Sequence, residues 1–485
     1  MNFRYISNRI AILLGVKKRI RKILILYLFF LMTYSGKKTL RAAAVFSGIE
    51  VSSFSRLLAL HFEDSQVYLL MFSKKQSKKL FRIRKKLGNF SNKFDAAIIV
   101  DSTIQNRSSI NSENSQRFNH GKGYVIGHQW TNIILVIGDK VIPLTPIAFY
   151  SRNYCNKNDI EYQTEQVRLQ NYLSDFKLKE FIGRHKKKRI CFIADSGYDN
   201  IKLAKLIRSK GWHFVLSLKR NRTVCSLKSK QNSTTGKLVK HYVISNKVIN
   251  NLKSYSFDKD LLKKLLIIKN KKYYSYKKFS EKLKELLGKK VFRTWKNELL
   301  IDSKQKLYMD VKTFFNNNRN IKWETIKLGQ DHNNKKRMDF RVRQTIAYLH
   351  KTCEIKLVCS EKRKRSEGRR KYLCCSDLTI SVKEILLLYK LRWKIEIFHK
   401  QVKMHLGFED VSASKFISVQ THVHLVYCSY IFLDYFNPTV DEMTSKIQVM
   451  KKTFKTRELN EILQVLSQFG GVEKYKQRIR AVIEN

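Results

Sequence analysis

Apolar and polar positions follow two rhythms along this chain. Two short runs are apolar without a break, Ala96-Ala97-Ile98-Ile99-Val100 and Ile190-Cys191-Phe192-Ile193-Ala194. Runs of this length without alternation are what strands buried on both faces require. Thr131 to Ile137 and Lys140 to Leu144 flank Gly138-Asp139, a pair suited to a two-residue hairpin turn. After the second run a helical period extends from about Asn200 to Lys210, with Asp199 as the expected cap and Gly211 as the stop. His213 to Lys219 then reads as a strand. An antiparallel meander followed by strand–helix–strand predicts an α/β fold.

The pattern divides the chain into five stretches. Residues 1–93 are helical and basic, residues 94–222 carry the α/β pattern, and residues 223–345 interrupt it with Lys-rich and Asn-rich pieces. That interruption is read as an insertion domain with a small fold of its own. Residues 346–436 return to strand and long helix, and residues 437–485 form a helical C-terminal region. Within the first stretch, Ile23 to Met32 is a ten-residue apolar run after Lys17, Lys18, Arg19, Arg21 and Lys22. It is too short to span a bilayer. A buried helix is expected there, with a signal-peptide core as the competing reading. Lys37 to Leu60 has a helix-turn-helix look, with Ala44 on the inner face, Gly48 at the turn, and Phe54 and Leu57 inside. Ser52 would cap the second helix and Ser53 and Arg56 would face outward; an ordinary helical hairpin fits as well.

The longest predicted helix begins at the capping box Ser381-Val382-Lys383-Glu384 and stops at Gly407, with no Gly or Pro between. Tyr389, Arg392, Glu396 and Lys403 lie on it at offsets 0, 3, 7 and 14. At about 100° per residue they fall within an arc of roughly 60°. One face thus carries an aromatic ring, two cations and a carboxylate. Two further acids end the two apolar runs: Asp101, followed by Ser102-Thr103, and Asp195, followed by Ser196-Gly197-Tyr198. Strand ends are where α/β proteins build sites, and carboxylates gathered there need a cation; Mg²⁺ accepts oxygen ligands of this kind. A turn or helix cap is the plainer role for either Asp alone.

Composition sharpens this. The chain has 485 residues, with 97 Lys plus Arg against 39 Asp plus Glu, so its formal charge is 97 − 39 = +58. A hydrophobic content of 43% excludes a disordered basic tail. The charge points to nucleic acid or an anionic membrane, although an AT-rich coding bias, visible in the Lys, Asn and Ile content and only 3 Pro, accounts for part of it. The eight Cys show no CxxC and read as reduced core thiols of a cytosolic protein. His120 and His128 lie between the two Asp without ligand spacing, and core or surface roles suit them best. No His or Asp pairs with Ser102 as a nucleophile would need.

Tyr389-x2-Arg392-x3-Glu396-x6-Lys403 is similar to the Y-(2)-R-(3)-E-(6)-K motif of DDE-class insertion-sequence transposases of family four. The string YKLRWKIEIFHKQVKMHLG and the upstream VDST and ADSGY resemble that family too, and the resemblance spans residues from about 40 to 435. It implies an RNase H-like mixed-sheet core, interrupted by an insertion and flanked by helical regions. By resemblance, Asp101, Asp195 and Glu396 would be catalytic and hold two Mg²⁺ ions, with Mn²⁺ as a substitute, and Tyr389, Arg392 and Lys403 would contact DNA. Trp295 and Trp323 are candidates to stack a flipped base, though core roles suit both better. The implied activity is cleavage of the element's ends and joining of the 3′ ends to target DNA. Expected partners are double-stranded DNA and a second copy of the chain, with no membrane, in a bacterial cytoplasm at the nucleoid. A catalytically inactive DNA-binding descendant is the alternative.

Overall fold

The computed structural model describes residues 18–83 except 61, 87–183 except 108–109 and 121–122, 189–226, 263, 266, 278–289, 292–293, 309–330 except 319, 337–362, 370–436 and 442–452. Helices are α1 (Lys18–Thr33), α2 (Leu40–Ser47), α3 (Val51–Leu58), α4 (Phe62–Ile83), α5 (Arg152–Lys157), α6 (Glu165–Asp175), α7 (Lys179–Ile182), α8 (Ile201–Ser209), α9 (Val311–Asn317), α10 (Val382–Leu391), α11 (Trp393–His405) and α12 (Phe416–Phe436). Strands are β1 (Ala96–Asn106), β2 (Gln116–His120), β3 (Gly123–Ile137), β4 (Lys140–Pro143), β5 (Ile147–Ala148), β6 (Ile190–Ala194), β7 (His213–Leu218), β8 (Thr223–Ser226), β9 (Met309–Asp310), β10 (Glu324–Gln330), β11 (Arg337–Leu349), β12 (Glu354–Glu361) and β13 (Lys371–Cys375). The chain is mixed α/β and divides into two compact units, residues 1–190 with 391–485, and residues 191–390.

In the first unit β1 pairs antiparallel with β3, and β3 pairs with β2, β4 and β5. The expected hairpin forms, with Gly138 at φ 62°. β1 is longer than its apolar run: residues 96–100 are buried and the strand continues to Asn106 through half-buried and exposed positions, with Gln105 buried among them. It continues because every residue from Ala97 to Asn106 has a partner on β3.

The apolar run Ile23 to Met32 is a buried helix, as expected, packed in α1 with Tyr27, Phe30 and Leu31 out of solvent. Its neighbour α12 is long and apolar enough to cross a membrane, yet 89% of that stretch is buried inside the protein. Phe72 of α4 packs its ring 4.5 Å from that of Phe432, and the Tyr27 hydroxyl lies 2.8 Å from His422 Nδ1. α12 is therefore the central core helix of this unit.

Two details of the N-terminal hairpin differ from expectation. Thr39 caps α2, and Gly48 ends it at φ 65°. Ser52 is not a cap; Glu50 holds the N-cap position of α3, and the Ser52 hydroxyl donates to the Glu50 carboxylate at 3.1 Å. The buried alanine of α2 is Ala43 rather than Ala44, and Ser53 is buried beside Phe54, so the exposed face carries Ser52, Ser55 and Arg56. Phe54 and Leu57 are buried as expected, and Ser53 shares their inward face.

In the second unit β6 and β7 are parallel, joined through α8, and β7, β13, β12, β11, β8 and β9 follow as antiparallel neighbours, with β10 on the side of β11. Asn200, not Asp199, caps α8, accepting from Lys202 N at 2.8 Å. Asp199 instead pairs with Arg222 at 3.2 Å and accepts from Lys219 N. Gly211 ends α8 as expected: its N–H and that of Trp212 turn back to Arg208 and Ile207, a Schellman pattern. The described parts of residues 223–345 extend this same sheet through β8–β11. Most of residues 227–308 lies outside the described residues, and so does the C-terminal stretch past residue 452. All eight cysteines are described; none is disulfide-bonded and seven are buried.

Among the described residues of the first unit, four imidazoles are buried and held neutral. Burial pushes His128 and His422 down to about 4, and His399 and His424 down to about 3. Below the ordinary histidine value of about 6.5 the unfolded chain takes up protons that the folded chain refuses, so stability is full above it and drains as pH falls towards those lower values. Each imidazole should cost about 1–2 kcal/mol between pH 7 and pH 5. Urea midpoints at the two pH values check this, and an unchanged midpoint would contradict it.

Candidate active site

β1 delivers the first predicted acid. Its apolar residues bury the strand up to Val100, and the next side chain, Asp101, emerges half-buried with 18% of its surface exposed. One Asp101 oxygen accepts from Ser102 N at 3.0 Å, which fixes the carboxylate against its own strand. The other accepts from Arg392 Nη1 at 2.9 Å. The second nitrogen of the same guanidinium donates to Glu396 Oε1. Asp101 and Glu396 are 295 positions apart in sequence (396 − 101) and share one cation.

The helix that carries these groups is not continuous. α10 ends at Leu391, Arg392 stands outside both helices, and α11 begins at Trp393. Arg392 keeps helical angles, φ −52° and ψ −32°, but Ile395 N donates to Arg392 O at 3.1 Å, a tightened i→i−3 turn. The expectation of one straight helix from Ser381 to Gly407 is thus corrected. No Gly or Pro marks the break; it falls at the residue whose side chain spans two carboxylates. Both predicted ends hold. Ser381 Oγ accepts from Glu384 N at 3.2 Å, and Gly407 at φ 72° follows α11. A side chain at Gly407 would meet Lys38 carbons at 2.8 Å as well as an unfavourable φ, so only glycine fits.

α11 is held to β3 through a buried polar bridge. Asn132 stands opposite Asp101 in the β1–β3 register. The Tyr427 hydroxyl of α12 donates to Asn132 Oδ1 at 2.8 Å, and Asn132 Nδ2 lies 2.9 Å from His399 Nε2. An amide nitrogen only donates, so His399 accepts there and stays neutral, which agrees with its lowered pKa. His399 is one helical turn beyond Glu396. In the sequence neither Asn132 nor His399 stands out, except that Asn132 is a lone amide beside the apolar run Ile133 to Ile137.

Lys403, two turns beyond Glu396, donates to Ile104 O at 2.6 Å and pairs with Glu409 at 3.0 Å. The loop after α11 is stitched to the end of β1: Asn106 N donates to Glu409, and Arg107 donates to the carbonyls of Val411 and Ala413. A cavity of about 590 Å³ opens there, lined among others by Lys37, Asn106, Arg107 and Glu409.

In the second unit Asp195 follows β6 and is half-buried. Its Oδ1 accepts from Gly197 N at 2.7 Å, so it caps the short turn Ser196–Tyr198. Tyr389, on α10, is half-buried with Lys371 Nζ 5.6 Å from its ring centre. In neither unit do the described residues group three His, Cys, Asp or Glu side chains so as to hold a metal ion; in the first, the Arg392 guanidinium stands between the two carboxylates. His128 is a core residue, 2.9 Å from Glu113 O. Trp323 is packed by the guanidinium groups of Arg341, Arg370 and Arg343 at 4.9, 5.3 and 5.6 Å. Trp295 lies outside the described residues.

The family model described as Transposase DDE domain matches residues 92–432, which include Asp101, Asp195 and Glu396. The chain belongs to the DDE transposase family. A search of curated proteins finds no match. The transposase has a mixed α/β core consistent with the RNase H-like fold, and its family implies a nuclease and transferase acting on DNA. Members of this class generally use divalent metal ions. Asp101 and Glu396 fit that need by their chemistry: two carboxylates on packed elements converge on one cation and present hard oxygen donors.

Replacing Asn132 by Ala should cost about 2–4 kcal/mol, since it leaves Tyr427 OH and His399 Nε2 buried without their partner. A urea-melt cycle with His399→Ala checks it. Additive effects of the two changes would contradict the bridge.

Proposed function

We propose that the transposase is an insertion-sequence enzyme of family four, carrying the Y-R-E-K motif as Tyr389, Arg392, Glu396 and Lys403. It binds the ends of its element, cleaves them and joins the freed 3′ ends to target DNA. Double-stranded DNA is the substrate, a dimer on DNA the working form, and the bacterial nucleoid the place of action. The observation that carries this reading is the junction of Asp101 and Glu396 through Arg392.

Asp101, Glu396 and, from the second unit, Asp195 are the acids assigned to catalysis and to Mg²⁺ or Mn²⁺. Two such ions, when bound, would activate the attacking hydroxyl and stabilise the leaving oxygen. The chain's own residues prepare the site for this. Ser102 N orients Asp101, the Asn132–His399 bridge sets the height of α11 over β1, and Glu396 projects from the first turn of α11. Arg392 suits a bidentate phosphate contact and Lys403 a point charge, with Tyr389 as a third DNA contact. The exposed residues Lys37, Arg41 and Arg56 around α2 and α3 give the N-terminal region a basic face suited to the DNA backbone.

The test uses duplexes carrying the inverted repeats that flank the gene. Asp101→Asn, Asp195→Asn and Glu396→Gln should each lower cleavage at least a thousandfold while duplex binding persists in a mobility-shift assay. Full cleavage by any one of them would remove that residue from the site, and full cleavage by all three would make the protein something other than a metal-dependent transposase.

A further inference from the structure

The assignment of Asp101 and Glu396 to the metal site, on which this inference rests, puts a divalent cation in competition with Arg392. Arg392 and the two carboxylates it bridges, Asp101 and Glu396, form one ion-paired group. Its charges sum to −1. The guanidinium makes two ion pairs here and is only 17% exposed, so it is the cation that keeps two converging carboxylates compatible. A divalent cation on the same carboxylates brings the sum to +1 and competes with the guanidinium for both of them. A charged guanidinium at a largely buried position is costly unless paired. One phosphodiester returns the sum to zero and offers a guanidinium a matching two-oxygen face. The backbone allows the change: Arg392 lies between two helices rather than inside either.

We propose that Arg392 is an exchangeable stand-in for the metal. It holds Asp101 and Glu396 together in the DNA-free protein and is handed over to a DNA phosphate when substrate binds, so that divalent cation and DNA each strengthen the binding of the other. Such coupling is reciprocal by necessity and typically amounts to about 5–150-fold. It keeps the site poorly loaded with metal until a phosphodiester is present. Lys403, already paired with Glu409 and bonded to Ile104 O, takes no part in the exchange.

The experiment titrates the full-length protein with Mn²⁺ alone and follows free Mn²⁺ by electron paramagnetic resonance, with and without a short duplex, at fixed ionic strength and after subtracting Mn²⁺ bound by the duplex itself. For the unaltered protein the duplex should tighten Mn²⁺ binding about tenfold. Arg392→Gln should bind Mn²⁺ about tenfold more tightly without DNA and lose most of the duplex effect. Lys78→Gln, at an exposed lysine of α4 outside the site, should keep that effect. Arg392→Lys, which retains the charge on a point-like donor, should fall between, and it decides the matter if the Gln variant does not fold by circular dichroism. Mn²⁺ binding by the Arg392 variants that is no tighter than that of the unaltered protein, with the duplex effect intact, would overturn the exchange. Asp101→Asn separates the two layers: if it leaves Mn²⁺ binding unchanged, the metal assignment itself fails and the exchange with it.

Discussion

One buried amide holds the arrangement together. Asn132 sits in the fully buried stretch of β3, directly across from Asp101, and both ends of its amide are used: the oxygen accepts from Tyr427 on α12, the nitrogen donates to His399 on α11. In a low-dielectric core such a network is costly to leave half made, so its members specify one geometry. That geometry places α11 on β1 at a defined height and sets Glu396 facing Asp101. The same bridge explains why a histidine in a protein of charge +58 is kept neutral: His399 must accept, and burial together with Lys403 and Arg392 disfavours its proton.

Electrostatics then arrange the surface of the site. The chain is poor in acids, and three of its 39 carboxylates, Asp101, Glu396 and Glu409, each face a specific cation. Arg107 and Gln105 hold the loop after α11 through main-chain carbonyls, which keeps Glu409 beside Lys403. Screening by salt acts weakly on such half-buried pairs and strongly on the exposed basic face of α2 and α3. DNA affinity should therefore depend steeply on ionic strength, while the internal geometry of those pairs should not.

Much of this was legible from residues alone. Strands announced by unbroken apolar runs, such as Ile190–Ala194, and stops announced by glycine, such as Gly211 and Gly407, lie where expected because local sterics decide them. Caps shifted by one or two positions, from Asp199 to Asn200 and from Ser52 to Glu50, since adjacent residues compete for the same role and tertiary pairing of Asp199 with Arg222 breaks the tie. The break at Arg392 and the Asn132–His399 contact were not legible. Periodicity describes an isolated helix, and these features come from partners 291 and 267 positions away.

As proposed, Asp101 and Glu396 form one catalytic unit held by the fold. Single-turnover cleavage by Asp101→Asn, Glu396→Gln and the double variant tests it most directly. Groups that act together lose their effect together, so the double variant should be about as slow as the slower single variant. Multiplying defects, with the double variant slower than either by the product of the two, would mean that the two carboxylates act independently and would contradict the account.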